Sequence, residues 1–189
     1  MHDRLIPERI RLNYVDYCAL PDDGKRYEIL DGVLHVSPSP RTTHQYVLPE
    51  LWLILTQHVR AHGLGEVFLA PLDVLLGEED IVQPDLIFVS AANAAIIAED
   101  NIKGVPDLLV EVLSPSRPEL DTRDKRQVYA RCGVPFYWWV DPVGKTLTEL
   151  ELVEGDYATV VVCRAQDAFE PRIWPDLSID LNALWMPPR

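Results

Sequence analysis

The sequence predicts one α/β domain, built on a mixed β-sheet with α-helices packed against it and an additional N-terminal hairpin. The chain has 189 residues, of which 48% are hydrophobic and 25% charged, as in an ordinary soluble protein with one sizeable core. Short apolar runs typical of strands alternate with segments of helical periodicity. One run, residues 107–113, is apolar on both faces and therefore predicts a strand buried inside the sheet.

The first third of the chain contains three predicted elements. Residues 7–20 have loosely helical spacing and could hold a short helix. Asp31 and Gly32 lie between two apolar runs, which predicts a β-hairpin with a two-residue turn. Apolar residues recur every three or four positions over residues 43–62, which predicts an amphipathic helix with Pro49 in its first turn or at a kink.

The rest of the chain predicts further strands and one more helix. Gly133, followed by Pro135, should end a helix over residues 119–132. The last two strands should form a hairpin at the sheet edge, around a turn at residues 154–156. The predicted strands cover residues 66–70, 72–76, 81–89, 107–113, 135–141, 146–153 and 157–163.

The overall charge disfavours avid binding to nucleic acid. The formal net charge is −13 and the isoelectric point is about 4.7, whereas nucleic-acid binding depends on Lys and Arg that neutralise phosphates. Between residues 117 and 131, however, five basic residues stand against three acidic ones. An acidic protein can also recruit phosphates through bound cations.

The cysteine content and the N-terminus indicate a reducing compartment and no membrane association. Cys18, Cys132 and Cys163 are odd in number and far apart, so we expect reduced, mostly buried thiols. The N-terminus lacks an apolar core of signal-peptide length, and no apolar run reaches the ~20 residues of a membrane helix. The expected location is the cytoplasm.

Two carboxylates within predicted strands carry the main chemical signal. Glu111 interrupts an apolar strand, and a lone buried carboxylate is costly unless it is paired, protonated or bound to a metal. Asp85 lies at the start of another apolar run. If the two strands are neighbours, the carboxylates converge and favour Mg²⁺ or Mn²⁺ between them.

Lys125, on the following helix, is the third candidate. Asp121 and Tyr129 lie four residues to either side of Lys125, on the same helix face. A lysine beside a metal-binding carboxylate pair could stabilise the charge that develops on a phosphate.

A longer series of motifs resembles a known family. The Uma-two family of restriction-endonuclease-like proteins, within the PD-(D/E)XK nuclease superfamily, is similar over about residues 13–182, most specifically over residues 111–141. The matching positions are Tyr27-Glu28, Asp31-Gly32, Pro38, His44, Gly65-Glu66-Val67, Gln83-Pro84-Asp85, Glu111-Val112-Leu113-Ser114-Pro115-Ser116, Asp121, Lys125, Tyr129, Gly133-Val134-Pro135, Tyr137-Trp138 and Asp141-Pro142.

The resemblance implies a central mixed sheet flanked by helices, with Asp85 and Glu111 as the two acidic residues of the nuclease motif. The superfamily lysine stands two residues after the second acid, where this sequence has Leu113. The resemblance implies that Lys125 has taken over its role. It also makes Glu28 an additional acidic residue near the metal, and we expect His44 to orient water or phosphate.

Each candidate also has an ordinary structural interpretation. Asp85 could bond a turn at the start of a strand, Glu111 could pair with an arginine, and Lys125 could pair with Asp121 on a helix surface. Glu28 and His44 could likewise be structural. His58 and His62 lie four residues apart but lack the glutamate of a zinc-protease motif. Trp138 and Trp139 alternate along a strand, so at least one should belong to the core.

Three functions remain possible at this stage. The leading hypothesis is metal-dependent hydrolysis of DNA phosphodiester bonds, with Mg²⁺ or Mn²⁺ held by Asp85 and Glu111. The alternatives are a nuclease-fold module that binds or assembles without cleaving, and a small-molecule hydrolase that uses the same carboxylates. Exposed edge strands and the aromatic C-terminal part, including Trp174 and Trp185, are compatible with a homodimer.

Overall fold

The fold was analysed in a computed structural model that describes residues 10–37 and 39–185. Its main sheet has six strands in the order β11-β10-β9-β8-β6-β3, in which only the β8–β9 pair is parallel. The strands are β3 (Gly65–Leu69), β6 (Leu86–Ser90), β8 (Leu108–Val112), β9 (Phe136–Asp141), β10 (Thr146–Val153) and β11 (Asp156–Arg164).

A second sheet of five strands contains the N-terminal hairpin. The strand order is β2-β1-β5-β4-β7, and β4–β7 is its parallel pair. The predicted hairpin is confirmed, but it joins this sheet instead of standing alone. The strands are β1 (Arg26–Leu30), β2 (Val33–Ser37), β4 (Asp73–Gly77), β5 (Asp80–Val82) and β7 (Asn101–Lys103).

Helices and short elements complete the described fold. Within the described residues, the longest helix is α2 (Thr42–His62), and the others are α1 (Tyr14–Cys18), α3 (Arg126–Cys132) and α4 (Leu181–Leu184). A 3-10 helix covers Ala91–Ile96, a π-helix covers Leu120–Lys125, and β12 (Ala168–Phe169) pairs with β13 (Ile179–Asp180).

The main sheet separates two apolar cores. Leu108 and Val110 of β8 pack with α2 and the C-terminal segment on one face. Leu109, between them, packs with α3 and the second sheet on the other face. Successive strand residues point to opposite faces, so a strand covered on both faces is apolar throughout. Glu111 stands two residues after Leu109, so its side chain points to the same face of the sheet and lies between the main sheet and α3.

The structure corrects four predictions about local elements. The predicted strand over residues 81–89 is split at Pro84, and its two parts belong to different sheets. The helix predicted over 119–132 begins as a π-helix. Of the two alternatives for Pro49, the first turn of α2 is wrong, because Pro49 lies in the interior of the helix. Cys18 is exposed, although all three cysteines are free thiols as predicted.

The short N-terminal helix is confirmed in part. The helix α1 starts at Tyr14, after Asn13, whose side chain accepts hydrogen bonds from the backbone N–H groups of Val15 and Asp16. Residues 7–9 of the predicted range lie outside the described residues. No helix in the described part of the chain combines the length and apolar character needed to cross a bilayer.

Candidate functional site

The five predicted site residues come together where the two sheets meet α2 and the π-helix. Glu28 is supplied by β1, His44 by the first turn of α2, and Asp85 by the residue before β6. Glu111 lies on β8, and Lys125 ends the π-helix. Their convergence depends on β6 and β8 being neighbours, as the sequence hypothesis required.

Lys125 lies at the centre of three carboxylates. Its Nζ atom lies 2.8 Å from Oε1 of Glu111, 2.9 Å from Oε1 of Glu28 and 3.7 Å from Oδ1 of Asp121. Its side chain is only 3% exposed. The pairing with Asp121 therefore exists, but inside the protein and not on a helix surface. Burial lowers the pKa of Lys125, but the three carboxylates outweigh this effect and raise the pKa, so the ammonium stays charged.

Asp85 accepts hydrogen bonds from three separate elements. Its Oδ2 atom lies 2.9 Å from Nε2 of His44 and accepts a 2.9 Å bond from the backbone N–H of Val112. Nη1 of Arg26 donates to Oδ1 over 3.1 Å. Burial would raise the pKa of Asp85, but the contacts with His44, Arg26 and Val112 lower it to about 2. Asp85 is thus an ionised carboxylate at the bottom of the site.

Glu111 experiences the opposite electrostatic balance. Oε1 of Glu111 accepts bonds from Nζ of Lys125 and from the hydroxyl of Tyr129, over 2.8 and 2.9 Å. Burial raises the pKa of this carboxyl well above its usual range, and the charges of Asp85 and Asp121 raise it further, although Lys125 opposes them. The two acids on neighbouring strands therefore differ in proton affinity.

Glu28 and Asp121 complete the group of buried carboxylates. Oε1 of Glu28 accepts a 2.9 Å bond from the backbone N–H of Gln83, which ties β1 to the segment before Asp85. Burial raises the pKa of Asp121 to about 6, and the charges of Asp85 and Glu28 contribute to this shift. Burial is thus the main cause of the raised pKa values in this site, and the neighbouring carboxylates add to it.

The site opens to solvent through a cleft between the loops that flank it. Asp85, Glu111, Lys125 and His44 line its interior, although the side chains of Asp85 and Glu111 are each only 4% exposed. The loop before α2 and the loop after β8 form its walls. This cleft therefore offers a small ligand a route to the carboxylates.

The donor set fits a hard divalent cation that keeps part of its water shell. Asp85 and Glu111 line one cleft, and the excess of carboxylates over cations favours a further positive charge. Over residues 10–37 and 39–185, no group of three or more His, Cys, Asp or Glu side chains is arranged to hold a metal. Mg²⁺ typically binds one or two carboxylates and retains several waters, so two acidic ligands suffice for it.

The sequence interpretation missed Arg26 and did not assign Asp121 to the site. Arg26 stands two residues before Glu28 on β1, so both side chains point to the same face of the strand. This spacing was a signal that could have identified Arg26. For Asp121 the helical spacing from Lys125 was recognised, but burial of the pair depends on the sheet packed against it, and the sequence alone did not reveal that.

The other candidate positions have structural environments. Trp138 is fully buried and donates from Nε1 to Glu149, while Trp139 is half-buried. The His58 and His62 rings lie against each other, with centroids 4.4 Å apart, and Nδ1 of His62 contacts the backbone oxygen of His58.

Comparisons with known proteins identify the fold and the family of this chain. A crystal structure described as "a putative nuclease belonging to DUF820" from Anabaena variabilis is similar to this chain, with a TM-score of 0.75 and 18% sequence identity. The match covers 92% of this chain and 97% of that one, which shows that the two proteins share a fold. No curated protein matches the sequence. A family model described as "Putative restriction endonuclease" matches residues 14–182, and the chain therefore belongs to the Uma-two family.

Proposed function

We propose that this protein is a metal-dependent endonuclease that hydrolyses DNA phosphodiester bonds. One observation carries the proposal: Asp85, Glu111 and Lys125 line the same cleft, with Lys125 2.8 Å from Glu111. Membership in a family described as restriction endonucleases supports a nucleic-acid substrate. A cytoplasmic location is part of the same proposal.

Asp85 and Glu111 would hold Mg²⁺ or Mn²⁺, a Lewis acid that stabilises charge on the phosphate and promotes ionisation of water. Lys125 holds the Glu111 carboxylate in place and adds positive charge close to the reacting phosphate. His44 fixes the orientation of the Asp85 carboxylate through Oδ2. Glu28 also contacts Lys125 and helps to keep it charged.

The first experiment is cleavage of supercoiled plasmid by the wild type and by Asp85→Asn, in Mg²⁺, in Mn²⁺ and in EDTA. We expect the wild type to nick the plasmid only with metal, because the reaction depends on the cation. The Asp85→Asn variant should lose this activity by at least about a hundredfold, since it loses a metal-binding charge. Calorimetric titration with Mn²⁺ should show weaker binding for the variant.

The matched control is Asp100→Asn, which makes the same chemical change at an exposed position. Its cleavage should equal that of the wild type, and circular dichroism should show that both variants are folded. Unchanged cleavage by folded Asp85→Asn would contradict the proposed mechanism.

A second candidate is a non-catalytic nuclease-fold module. Two observations favour it. The Asp85 carboxylate already accepts three hydrogen bonds, including one from Arg26, and the net charge of −13 disfavours binding to DNA. A site of this kind would bind neither Mg²⁺ nor Mn²⁺ in the same calorimetric titration and would leave the plasmid intact. Metal binding by the wild type favours the nuclease, and its absence favours the module.

A further inference from the structure

Two arginines from different loops line the cleft that leads to the carboxylates. Arg41 directly precedes α2, and Arg117 lies in the loop between β8 and the π-helix. Both are exposed, and neither forms a salt bridge within the described residues. Nη1 of Arg117 donates to the backbone oxygen of Val36 over 3.3 Å, which connects its loop to the end of β2. The two arginines thus place unpaired positive charge beside the acidic site.

A third arginine lies deeper in the same cleft. Nη1 of Arg26 contacts Asp85, and Nη2 donates to the backbone oxygen of Gln83. The Nε atom of Arg26 is buried and has no hydrogen-bond partner. Positive charge therefore extends from the mouth of the cleft to Asp85, in a protein that is acidic overall. A planar guanidinium is suited to phosphate oxygens, which accept two parallel hydrogen bonds from it.

The shape of the cleft restricts what can reach its carboxylates. The loop before α2 and the loop after β8 form its two walls, with Asp85 and Glu111 between them. Because Asp85 and Glu111 are each 4% exposed, a phosphate has to enter the cleft to meet them. A flexible single strand can bend to bring one phosphate into such an opening, whereas a duplex is stiff and holds its phosphates on the surface of a wide cylinder.

We propose that Arg41 and Arg117 bind backbone phosphates of a single, unpaired DNA strand and guide one phosphate toward Asp85 and Glu111. This inference deepens the proposed nuclease function and rests on it for the identity of the ligand. The strand is held through its phosphates, since no aromatic side chain of the described residues lines the cleft. Binding is accordingly dependent on salt and tolerant of sequence.

The test measures binding without cleavage. A fluorescein-labelled oligonucleotide of mixed sequence is titrated with protein in EDTA, as a single strand and as a duplex, and anisotropy is recorded at several NaCl concentrations. The variant is Arg41→Gln with Arg117→Gln. The control is Arg60→Gln with Lys103→Gln, which removes two exposed positive charges elsewhere.

We expect the wild type to bind the single strand at least about tenfold more tightly than the duplex. In the variant that lacks Arg41 and Arg117, the loss of two phosphate contacts should make the slope of log affinity against log salt concentration less negative by about 1.4 for a single strand. The control pair should leave the slope within experimental error of the wild type. Equal slopes for both double variants would overturn the proposed contacts, and duplex binding as tight as single-strand binding would overturn the substrate preference.

This result is separable from the cleavage experiment. The assay contains no metal and needs no catalysis, so single-strand binding that requires Arg41 and Arg117 would support the phosphate site even if the plasmid is never cut. The converse outcome has two parts. Loss of metal-dependent cleavage in Asp85→Asn would support the nuclease, and equal slopes for both double variants would reject this mode of substrate entry.

Discussion

Lys125 compensates the charge of three buried carboxylates that come from three different parts of the chain. A buried charge without a partner costs several kcal/mol, so the ammonium and the carboxylates depend on one another. Among the described residues, the site contains four carboxylates and two Arg or Lys side chains that contact them. The carboxylates belong to Glu28, Asp85, Glu111 and Asp121, and the cations are Lys125 and Arg26. Burial, together with the charges of Asp85 and Glu28, raises the pKa of Asp121, which makes this residue informative for a stability experiment.

We predict that Asp121→Asn stabilises the protein at neutral and alkaline pH. The pKa of Asp121 is about 6 in the folded chain, against an ordinary value of 3.8. The folded state therefore binds a proton that the unfolded state has released, and the wild type loses stability as the pH rises from about 4 to about 6. The side-chain amide in Asp121→Asn carries no charge at any of these pH values, so the variant does not lose this stability. Its free energy of unfolding should therefore exceed that of the wild type by at most about 3 kcal/mol above pH 6.

Urea unfolding of both proteins at pH 4, 6 and 8 checks this prediction. The gain should be largest at pH 8 and close to zero at pH 4. Glu119→Gln makes the same kind of change at an exposed position close by and should show no such pH dependence. A loss of stability in Asp121→Asn at pH 8 would mean that its contact with Lys125 outweighs the cost of burying its charge.

The individual site residues differ in how well the sequence identified them. Glu111 was identifiable because a charge inside an apolar strand needs a partner, and that argument is local. Arg26 stands on the same face of β1 as Glu28, but this spacing alone does not show which carboxylate Arg26 would contact. Its importance comes from Asp85, which is distant in sequence and becomes a neighbour only when β1 and β5 pair.

At the scale of elements, the π-helix Leu120–Lys125 is the least expected feature. A π-helix is wider than an α-helix, and such turns are frequent at functional sites. It positions Asp121 and Lys125 against β8 and then continues directly into α3. The stop signals at Gly133 and Pro135 predicted a helical segment over residues 119–132 but not this local change, because both helix types can end at the same residues.

The split of the predicted strand over residues 81–89 has a clear physical cause. Pro84 has no backbone N–H and restricts the residue before it, so it interrupts the ladder. The residues before it form β5 in the second sheet, and those after it form β6 in the main sheet. Apolar composition predicted the strand character of both halves. It could not assign them to two sheets, because both halves are buried.

We predict that Gly65→Ala, at the start of β3, destabilises the protein much more than Gly133→Ala. Both glycines have positive φ, 146° and 88°. A Cβ at Gly65 would lie 2.1 Å from the backbone oxygen of Val89, whereas a Cβ at Gly133 meets nothing within 4 Å. Gly133→Ala should therefore cost about 1–2 kcal/mol from the left-handed backbone alone, and Gly65→Ala should cost more because the β3–β6 pair has to move.

Guanidinium unfolding of the two variants at one pH gives the comparison directly. Both carry the same chemical change, so each serves as the control for the other. Similar midpoints for the two variants would show that the main sheet can shift at its β3 edge without appreciable cost.

At the scale of the whole molecule, the C-terminal segment belongs to the main core. Phe169, Trp174 and Leu181 pack with Trp138 on the α2 side of the main sheet. Trp174 is therefore an internal residue and contributes no surface for a second copy of the chain, contrary to one basis of the dimer hypothesis. Trp185 is half-buried against the same core. A homodimer stays a prediction that rests on exposed edge strands such as β11.

We predict that Trp174→Ala lowers the free energy of unfolding by about 3–5 kcal/mol and leaves the oligomeric state unchanged. The large loss follows from the cavity left beside Phe88 and Trp138, whose rings contact Trp174 edge to face. Urea unfolding measures the first effect, and light scattering after size exclusion measures the second.

Val143→Ala, at a position that is 68% exposed, is the matched control and should change neither quantity. A change in molar mass for Trp174→Ala, with stability close to that of the wild type, would place this tryptophan in an intermolecular contact.

The spread of the candidate site along the chain has a consequence for biosynthesis. Glu28, His44 and Asp85 are translated long before Lys125, the cation that neutralises Glu28 and Glu111. A nascent chain that ends before residue 125 thus contains the acids without their counter-charge and also lacks β9 to β11, half of the main sheet. Because a domain generally folds as a unit once its sequence is complete, an unfinished chain holds no assembled centre. Any activity at this centre would therefore begin only after the strands β9 to β11 have been added to the growing chain.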